Sequence, residues 1–302
     1  MSTVRHSFDI RPLKHVEDLE RVVTLQKMTE GQDTSAIHRH LLISFVHNGG
    51  LVMGASHEGQ MVGYLISYLG IESPEADRPA MANLKLVSQR MGVLPEFRDH
   101  GVGYELKLAQ RRWAIEQGIR LVTWTFDPLK SRNAYFNIRK LGAISQEYQR
   151  DYYAATPDTV NAETTDRLVV EWWVTHNRVE QRLSRRRAAL TITQYVEGNT
   201  PVLNPTTLGS DGFVRPAWRI NMPMSKLGLV EIPDNWEEMK KADRPLADEW
   251  RAHTREALES LLYAGYTITD VLHGSHEDRT RTFYVVSHVD RADLRTTPFN
   301  SN

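Results

Sequence analysis

The sequence predicts a mixed α/β chain, and three observations carry that prediction. Strand-patterned segments alternate with segments of helical spacing through residues 1–176. Two glycines, Gly101 and Gly103, punctuate the passage from one such strand into a helix. Near residue 177 the composition turns arginine-rich and then turn-rich before strand and helix patterns resume. That change predicts a first domain over 1–176 and a second, smaller α/β domain over 177–302.

Each element follows from its own pattern. "FDIRPL" reads as a strand, and "HVEDLERVVTLQKMTEG" places Val16, Leu19, Val22, Val23 and Leu25 at helical spacing. "GLVMGASHEGQMVGYLISYLG" is two apolar runs joined by "SHEGQ", a hairpin pattern. "ANLKLVSQRMGVLP" is a strand ending at Pro95. "GYELKLAQRRWAIEQGI" is a helix with Leu106, Ala109 and Trp113 on one face and Gly118 after its end. "RLVTWTFDP" is a strand stopped by Pro128, and "SRNAYFNIRKLGA" a short helix closed by Gly142. "EYQRDYYA" and "DRLVVEWWV" read as two further strands. In the second domain come a strand "LGLVEIP" and a helix "PLADEWRAHTREALESLLYAG", with Trp250, Ala257, Leu258, Leu261 and Leu262 on one side. Strands "YTITDVL" and "RTFYVVSHV" follow it.

Composition narrows the function. The 302 residues are 40% hydrophobic and 25% charged, as in a globular protein, and the net charge of -1 supplies no general field for nucleic acid or an anionic membrane. Any anion site must therefore be local. With no cysteine, disulfides, thiolate metal sites and an acyl-cysteine intermediate are excluded. "MSTVRHSFDIRPLKHVEDLE" lacks the apolar stretch of a signal peptide, so a cytoplasmic protein is expected. Arg178, Arg182, Arg185, Arg186 and Arg187 are read as a solvated face or linker, because no aromatic residues interleave with them. Neither His38 with His40 nor His273 with His276 has convincing metal-ligand spacing, so no metal is expected.

The glycine turn invites a phosphate ligand. A dinucleotide fingerprint needs a third glycine where Leu106 stands, and a Walker A loop needs G-K-[ST]; neither is present. What stands there is Arg98-Asp99-His100-Gly101-Val102-Gly103, an R-x-x-G-x-G just before a helix. Glycines let backbone N–H groups approach a pyrophosphate, and the helix N-terminus adds partial positive charge. A turn with a purely structural role is the alternative.

"RMGVLPEFRDHGVGYELKLAQRRWA" resembles the acyl-CoA binding motif of the GNAT-superfamily acyltransferases, a strand often ending V-x-P followed by [QR]-x-x-G-x-[GA] and a helix. "LVTWTFDPLKSRNAYFNIRKLGA" is similar to that superfamily's next strand and helix. The resemblance covers about residues 7 to 176. The whole chain also resembles a two-domain bacterial subgroup known as predicted acetyltransferases, through "DRLVVEWWV" and "WRAHTREALESLLYAGY". It implies a GNAT-like fold with a central mixed, splayed sheet and acetyl-CoA or another acyl-CoA as cosubstrate. Met91, Gly92 and Val93 are implied to bind the pantetheine arm and thioester. The N–H groups of Arg98, Asp99, His100, Gly101, Val102, Gly103 and Tyr104 are implied to bind the pyrophosphate, and Asn133 and Phe136 to line the other side of the channel.

The implied reaction is direct attack of an amine on the thioester in a ternary complex. An alkyl ammonium is neutral to only about one part in two thousand at pH 7, so a base or water chain must take a proton. Glu72 is the candidate base, with Ser88 and Gln89 able only to position water, and His57 expected at the surface. The family pattern L-Y-x-K-x-G, aligned on Lys140 and Gly142, puts Ile138 where a tyrosine often protonates the leaving thiolate. Tyr135 is the candidate substitute, or Tyr152 and Tyr153 on the next strand. The Ile138 departure supports a different class of reading, a CoA-binding sensor or interaction protein without turnover.

The second domain repeats a strand-turn-helix-strand order, and a degenerate GNAT-like half closing the acceptor pocket is one expectation. A separate interaction domain is the other. Its turn "DNWEEMKKADRPLADE" is acidic and has no glycine pair, and Asp234 with Glu237 suggests a capping box. Trp218, Arg219, Arg215 and Trp236 are available to meet an acceptor. The partners expected are acyl-CoA and an amine, with no nucleic acid or membrane; a homodimer is left open.

Overall fold

The computed structural model describes residues 7–30, 36–72, 83–153, 165–184, 190–290 and 293. Arg185, Arg186 and Arg187 lie outside these. The chain forms two compact units, Met1–Trp124 and Thr125–Asn302.

The first unit opens with strand β1 (Asp9–Pro12) and helices α1 (Val16–Glu30) and α2 (Arg39–His47). Strands β2 (Leu51–His57), β3 (Gln60–Ile71) and β4 (Leu84–Val93) form an antiparallel meander, and β1 joins β2 antiparallel. Helix α3 (Val102–Glu116) then leads to β5 (Leu121–Phe126), which pairs parallel with β4. The sheet is therefore mixed, as expected. "LVMGA" at the start of β2 is buried throughout, a run without alternation that suits a strand covered on both faces. Leu19 and Val22 of α1, Tyr64, Leu65 and Ile66 of β3 and Leu106 of α3 are at most 1% exposed. Burying each aliphatic side chain of this size contributes about 1.5–3 kcal/mol.

The second unit holds the short helix α4 (Ser131–Ala134), continued by a π-turn over Tyr135–Lys140, and the hairpin β6 (Ile144–Gln149) and β7 (Arg167–Trp173). Helices α5 (Asn177–Leu183) and α6 (Ile192–Glu197) and the small ladder β8 (Thr207–Leu208) with β9 (Val214–Arg215) follow. Then come β10 (Leu227–Ile232), α7 (Trp236–Ala242), α8 (Arg244–Tyr263), β11 (Thr267–His276) and β12 (Arg279–Ser287). The strand order is β7-β6-β11-β12-β10. Trp250 of α8 is fully buried and donates its indole N–H to the Val214 carbonyl at 2.8 Å. Tyr284 likewise sits in the core with its hydroxyl donating to the Pro128 carbonyl at 2.7 Å.

Several expectations need correcting. The compact units part after Trp124, and β6 pairs with β11 through Ser145 and Ile268, joining segments on either side of 177 within the second unit. β6 starts at Ile144, and Tyr152 and Tyr153 lie beyond it in an exposed turn. Arg178 and Arg182 are not a solvated face. Arg182 pairs with Asp270, and burial pushes the Arg178 guanidinium down to about 10. No capping box forms at Asp234 and Glu237: α7 begins after Asn235, Asp234 accepts from Thr282 Oγ1 at 2.9 Å, and Glu237 pairs with Lys130 and Lys240. Finally, β12 lies between β10 and β11, whereas β4 and β5 are direct neighbours. The second unit keeps the element order expected of a degenerate half without its direct parallel pairing.

Candidate functional site

The site is built where β4 leaves β5. The parallel register is Lys85 with Leu121, Leu86 with Val122 and Val87 with Thr123. Among the described residues it stops there, while β4 runs on to Val93 paired with β3 alone. A β-bulge marks the same place: Ser67 faces Ser88 and Ile66 faces Arg90, leaving Gln89 as the extra residue. Bulges bend and twist a strand, which accounts for β4 diverging at this point. Met91, Gly92 and Val93 form the part of β4 beyond the divergence. Gly92 is required by packing, since a Cβ there would lie 2.5 Å from Tyr64 Cε1 and 2.6 Å from Thr29 Oγ1.

From Val93 the chain turns through Pro95–Phe97, a single 3-10 turn with Pro95 at its start, and enters α3 at Gly101. Gly101 has φ 89°, a left-handed conformation that favours glycine, with no atom within 4 Å of a Cβ built on it. Gly101, as N-cap, brings no side-chain cap to α3, and the Glu105 N–H donates to the Gly101 carbonyl at 3.0 Å. The N–H groups of Val102, Gly103 and Tyr104 therefore precede the helical ladder and point along its dipole. A Cβ on Gly103 would make only ordinary contact, 3.4 Å from Met91 Cε.

Arg98 and His100 brace this turn. The Arg98 side chain donates to the Val93 carbonyl at 3.2 Å and the Thr29 carbonyl at 3.0 Å, and its backbone N–H donates to the Pro95 carbonyl at 3.2 Å. The Arg98 N–H expected on a pyrophosphate is thus already used inside the protein. His100 Nδ1 lies 2.8 Å from the Arg98 carbonyl, and Asp99 has φ 66°.

Residues Met91–Val93 and Arg98–Tyr104 come together in the first unit. Glu72 does not join them. It follows β3 at the opposite end of the β3–β4 pair, where its N–H donates to the Asn83 carbonyl at 2.8 Å. At about 3.3 Å per residue, that is roughly 25 Å along the strand from Met91. Asn133, Tyr135 and Phe136 belong to the second unit. Asn133 is exposed inside α4 and does not cap it, the N-cap being Lys130. Phe136 is half-buried, and Tyr135 packs edge-on against His273 at 6.0 Å between centroids. Ile138 is fully buried, so its position faces the core. Of the residues considered for an acceptor, Trp218 is 95% exposed, Arg215 pairs with Asp211, and Trp236 is buried with the Arg251 guanidinium over its ring.

Sequence reasoning missed a polar cluster in this unit. Lys107 of α3, only 3% exposed, donates to Ser88 Oγ at 2.9 Å and to Gln110 Oε1 at 3.1 Å; Gln110 in turn donates to Ser67 Oγ at 2.7 Å. The Lys107 ammonium position lies 3.6 Å from the ring centroid of Trp124 on β5. Burial drives its pKa well below the ordinary lysine value. The available signal was a lysine directly after Leu106 on the helix's apolar face.

No protein-family model matches the chain, and no curated protein matches it by sequence. Solved structures are similar to it. The ribosomal-protein-S18-alanine N-acetyltransferase of Escherichia coli is 14% identical with a TM-score of 0.43, covering 56% of this chain and 94% of that one. An N-acetyltransferase from Staphylococcus aureus Mu50 is 13% identical with a TM-score of 0.43, over 56% and 99%. A GNAT family acetyltransferase from Elizabethkingia anophelis with acetyl-CoA bound is 14% identical with a TM-score of 0.38, over 55% and 97%.

Proposed function

We propose that the chain is a GNAT-like acyltransferase that moves an acetyl or other short acyl group from CoA to an amine by direct attack in a ternary complex. The observation that carries this reading is the fork: β4 parts from β5 after Val87 and feeds, through left-handed Gly101, a helix N-terminus whose N-cap residue brings no side chain. The backbone of Met91, Gly92 and Val93 beyond the fork suits the amides of a pantetheine arm. Gly101, Val102, Gly103 and Tyr104 suit a pyrophosphate, whose charge-assisted hydrogen bonds are worth roughly 1.5–3 kcal/mol each. This local arrangement meets the demand set by a net charge of -1, which provides no general attraction for an anion. The protein is read as cytoplasmic.

A second reading, a CoA-binding sensor without turnover, is favoured by Ile138, whose full burial leaves no acid at the family's tyrosine position. Calorimetric titration of the full chain with acetyl-CoA and longer acyl-CoAs tests the first step of both. Micromolar binding that is lost in Gly103→Trp supports the fork as the CoA site, and thiol release with an amine then separates enzyme from sensor. Failure of the unaltered protein to bind any acyl-CoA contradicts both readings.

A further inference from the structure

We propose that Ser88 and Lys107 form the proton-accepting pair of the acyl transfer, Ser88 meeting the acceptor's proton and Lys107 holding it. This rests on the acyl-CoA reading of the fork. Its basis is position: Lys107 Nζ bridges the two strands where they part, 2.9 Å from Ser88 Oγ on β4 and 3.6 Å from the Trp124 ring on β5. Ser88 is the first residue of β4 past the last pair with β5 and stands at the bulge, on the stretch that leads to Met91.

The cluster lies almost wholly inside the protein, with the Trp124 ring beside it 9% exposed. Ser67 and Gln110 are 0% exposed and Lys107 3%, whereas Ser88 keeps 7%. Among the groups facing Lys107 are Ser88 from β4, Trp124 from β5 and Gln110 from α3, with Ser67 of β3 fixing the Gln110 amide at 2.7 Å. Both protonation states of the amine are accommodated. When Lys107 is neutral, the Ser88 hydroxyl rotates to donate to the Nζ lone pair and Nζ donates to Gln110 Oε1. When it is charged, its three protons address Ser88 Oγ, Gln110 Oε1 and the face of the indole, whose quadrupole attracts a cation. Burial disfavours the charged amine and lowers the Lys107 pKa well below the ordinary lysine value, the direction a proton-accepting role requires.

The step balances as follows. The acceptor ammonium gives one proton to Ser88 Oγ as the Ser88 hydroxyl proton passes to Lys107 Nζ. The freed nitrogen lone pair forms the C–N bond at the thioester carbonyl. The C–S bond breaks, its electron pair leaves on sulfur, and the second nitrogen proton protonates the thiolate. Products are the amide, CoA thiol and a Lys107 ammonium that returns its proton to water. Ser88 is the group placed to touch the acceptor; Lys107 is a positioning residue that acts through it.

The test uses the full chain, acetyl-CoA and benzylamine as the probe amine, with Lys107→Met, Lys107→Arg and Ser88→Ala. Calorimetry should show acetyl-CoA bound by every variant, while thiol release falls by about 10²-fold or more in Lys107→Met and Ser88→Ala. The low-pH limb of kcat/KM that reports Lys107 should vanish in Lys107→Met, which a merely structural role would not produce. Variants that bind acetyl-CoA and release thiol at the unaltered rate and pH dependence overturn the proposal. The ¹³Cε resonance of Lys107, assigned by its loss in Lys107→Arg, gives a readout free of turnover. A midpoint well below the ordinary lysine value supports the pair, and one near about 10.4 overturns it. If the unaltered protein binds no acetyl-CoA, the fork reading fails and this proposal falls with it.

Discussion

At the start of α3 the chain arrives through a left-handed glycine that brings no side-chain cap, whereas at the start of α8 the Asp243 carboxylate accepts from the Leu246 N–H at 3.0 Å and Pro245 stands in the first turn. The strands joined by these two helices differ in the same sense. β4 and β5 are neighbours that separate, while β12 fills the space between β10 and β11 and pairs with both. One crossover therefore leaves backbone donors and a strand edge for a ligand, and the other uses its own side chains and a third strand to satisfy them. On the proposed reading, two stretches with the same strand-helix-strand order serve recognition in one unit and stability in the other.

The largest effect that would break this contrast lies in the second unit. Arg251 of α8 makes a bidentate pair with Asp127 at 2.8 Å for both bonds, with the side chains 10% and 12% exposed. Arg251→Ala leaves a nearly buried carboxylate without its partner and should cost about 3–5 kcal/mol in chemical denaturation. In the first unit the matching large effect is on binding. Gly103→Trp should keep the fold, because a Cβ there makes only ordinary contact with Met91 and Val93, yet weaken acetyl-CoA by about 100-fold or more, equivalent to roughly 2.7 kcal/mol, read by calorimetry.

Smaller changes sharpen the comparison. Gly92→Ala pushes a methyl into Tyr64 and Thr29 and should lower stability by about 1–3 kcal/mol in thermal or denaturant unfolding, because β4 is packed on that face even where β5 has left it. Asp243→Ala removes the α8 cap and should cost about 1 kcal/mol while leaving acetyl-CoA affinity unchanged. An affinity loss in Asp243→Ala would show that the two crossovers do not divide the work as described.

Much of the first unit was legible in the sequence because its signals are local. Pro95 and Gly101 set the turn by backbone conformation, and alternation set β3 and β4. The divergence of β4 from β5 was implied by resemblance alone, since which strands neighbour one another, and for how long, is decided by long-range pairing. Lys107 escaped notice for a related reason: a lysine beside an apolar stripe reads as surface until its partners on β4 and β5 are seen. The same limit hid the role of Arg182, whose partner Asp270 lies far along the chain. Asp234 and Glu237 fit a capping pattern, yet tertiary partners, Thr282 and Lys130, claimed both side chains.

The most direct test of the central claim is amide hydrogen exchange of the full chain with and without acetyl-CoA. Slowed exchange confined in these two regions to residues 88–104, with residues 243–250 unchanged, is the predicted result. Protection at 243–250, or unchanged exchange across 88–104 when acetyl-CoA is bound, would contradict it.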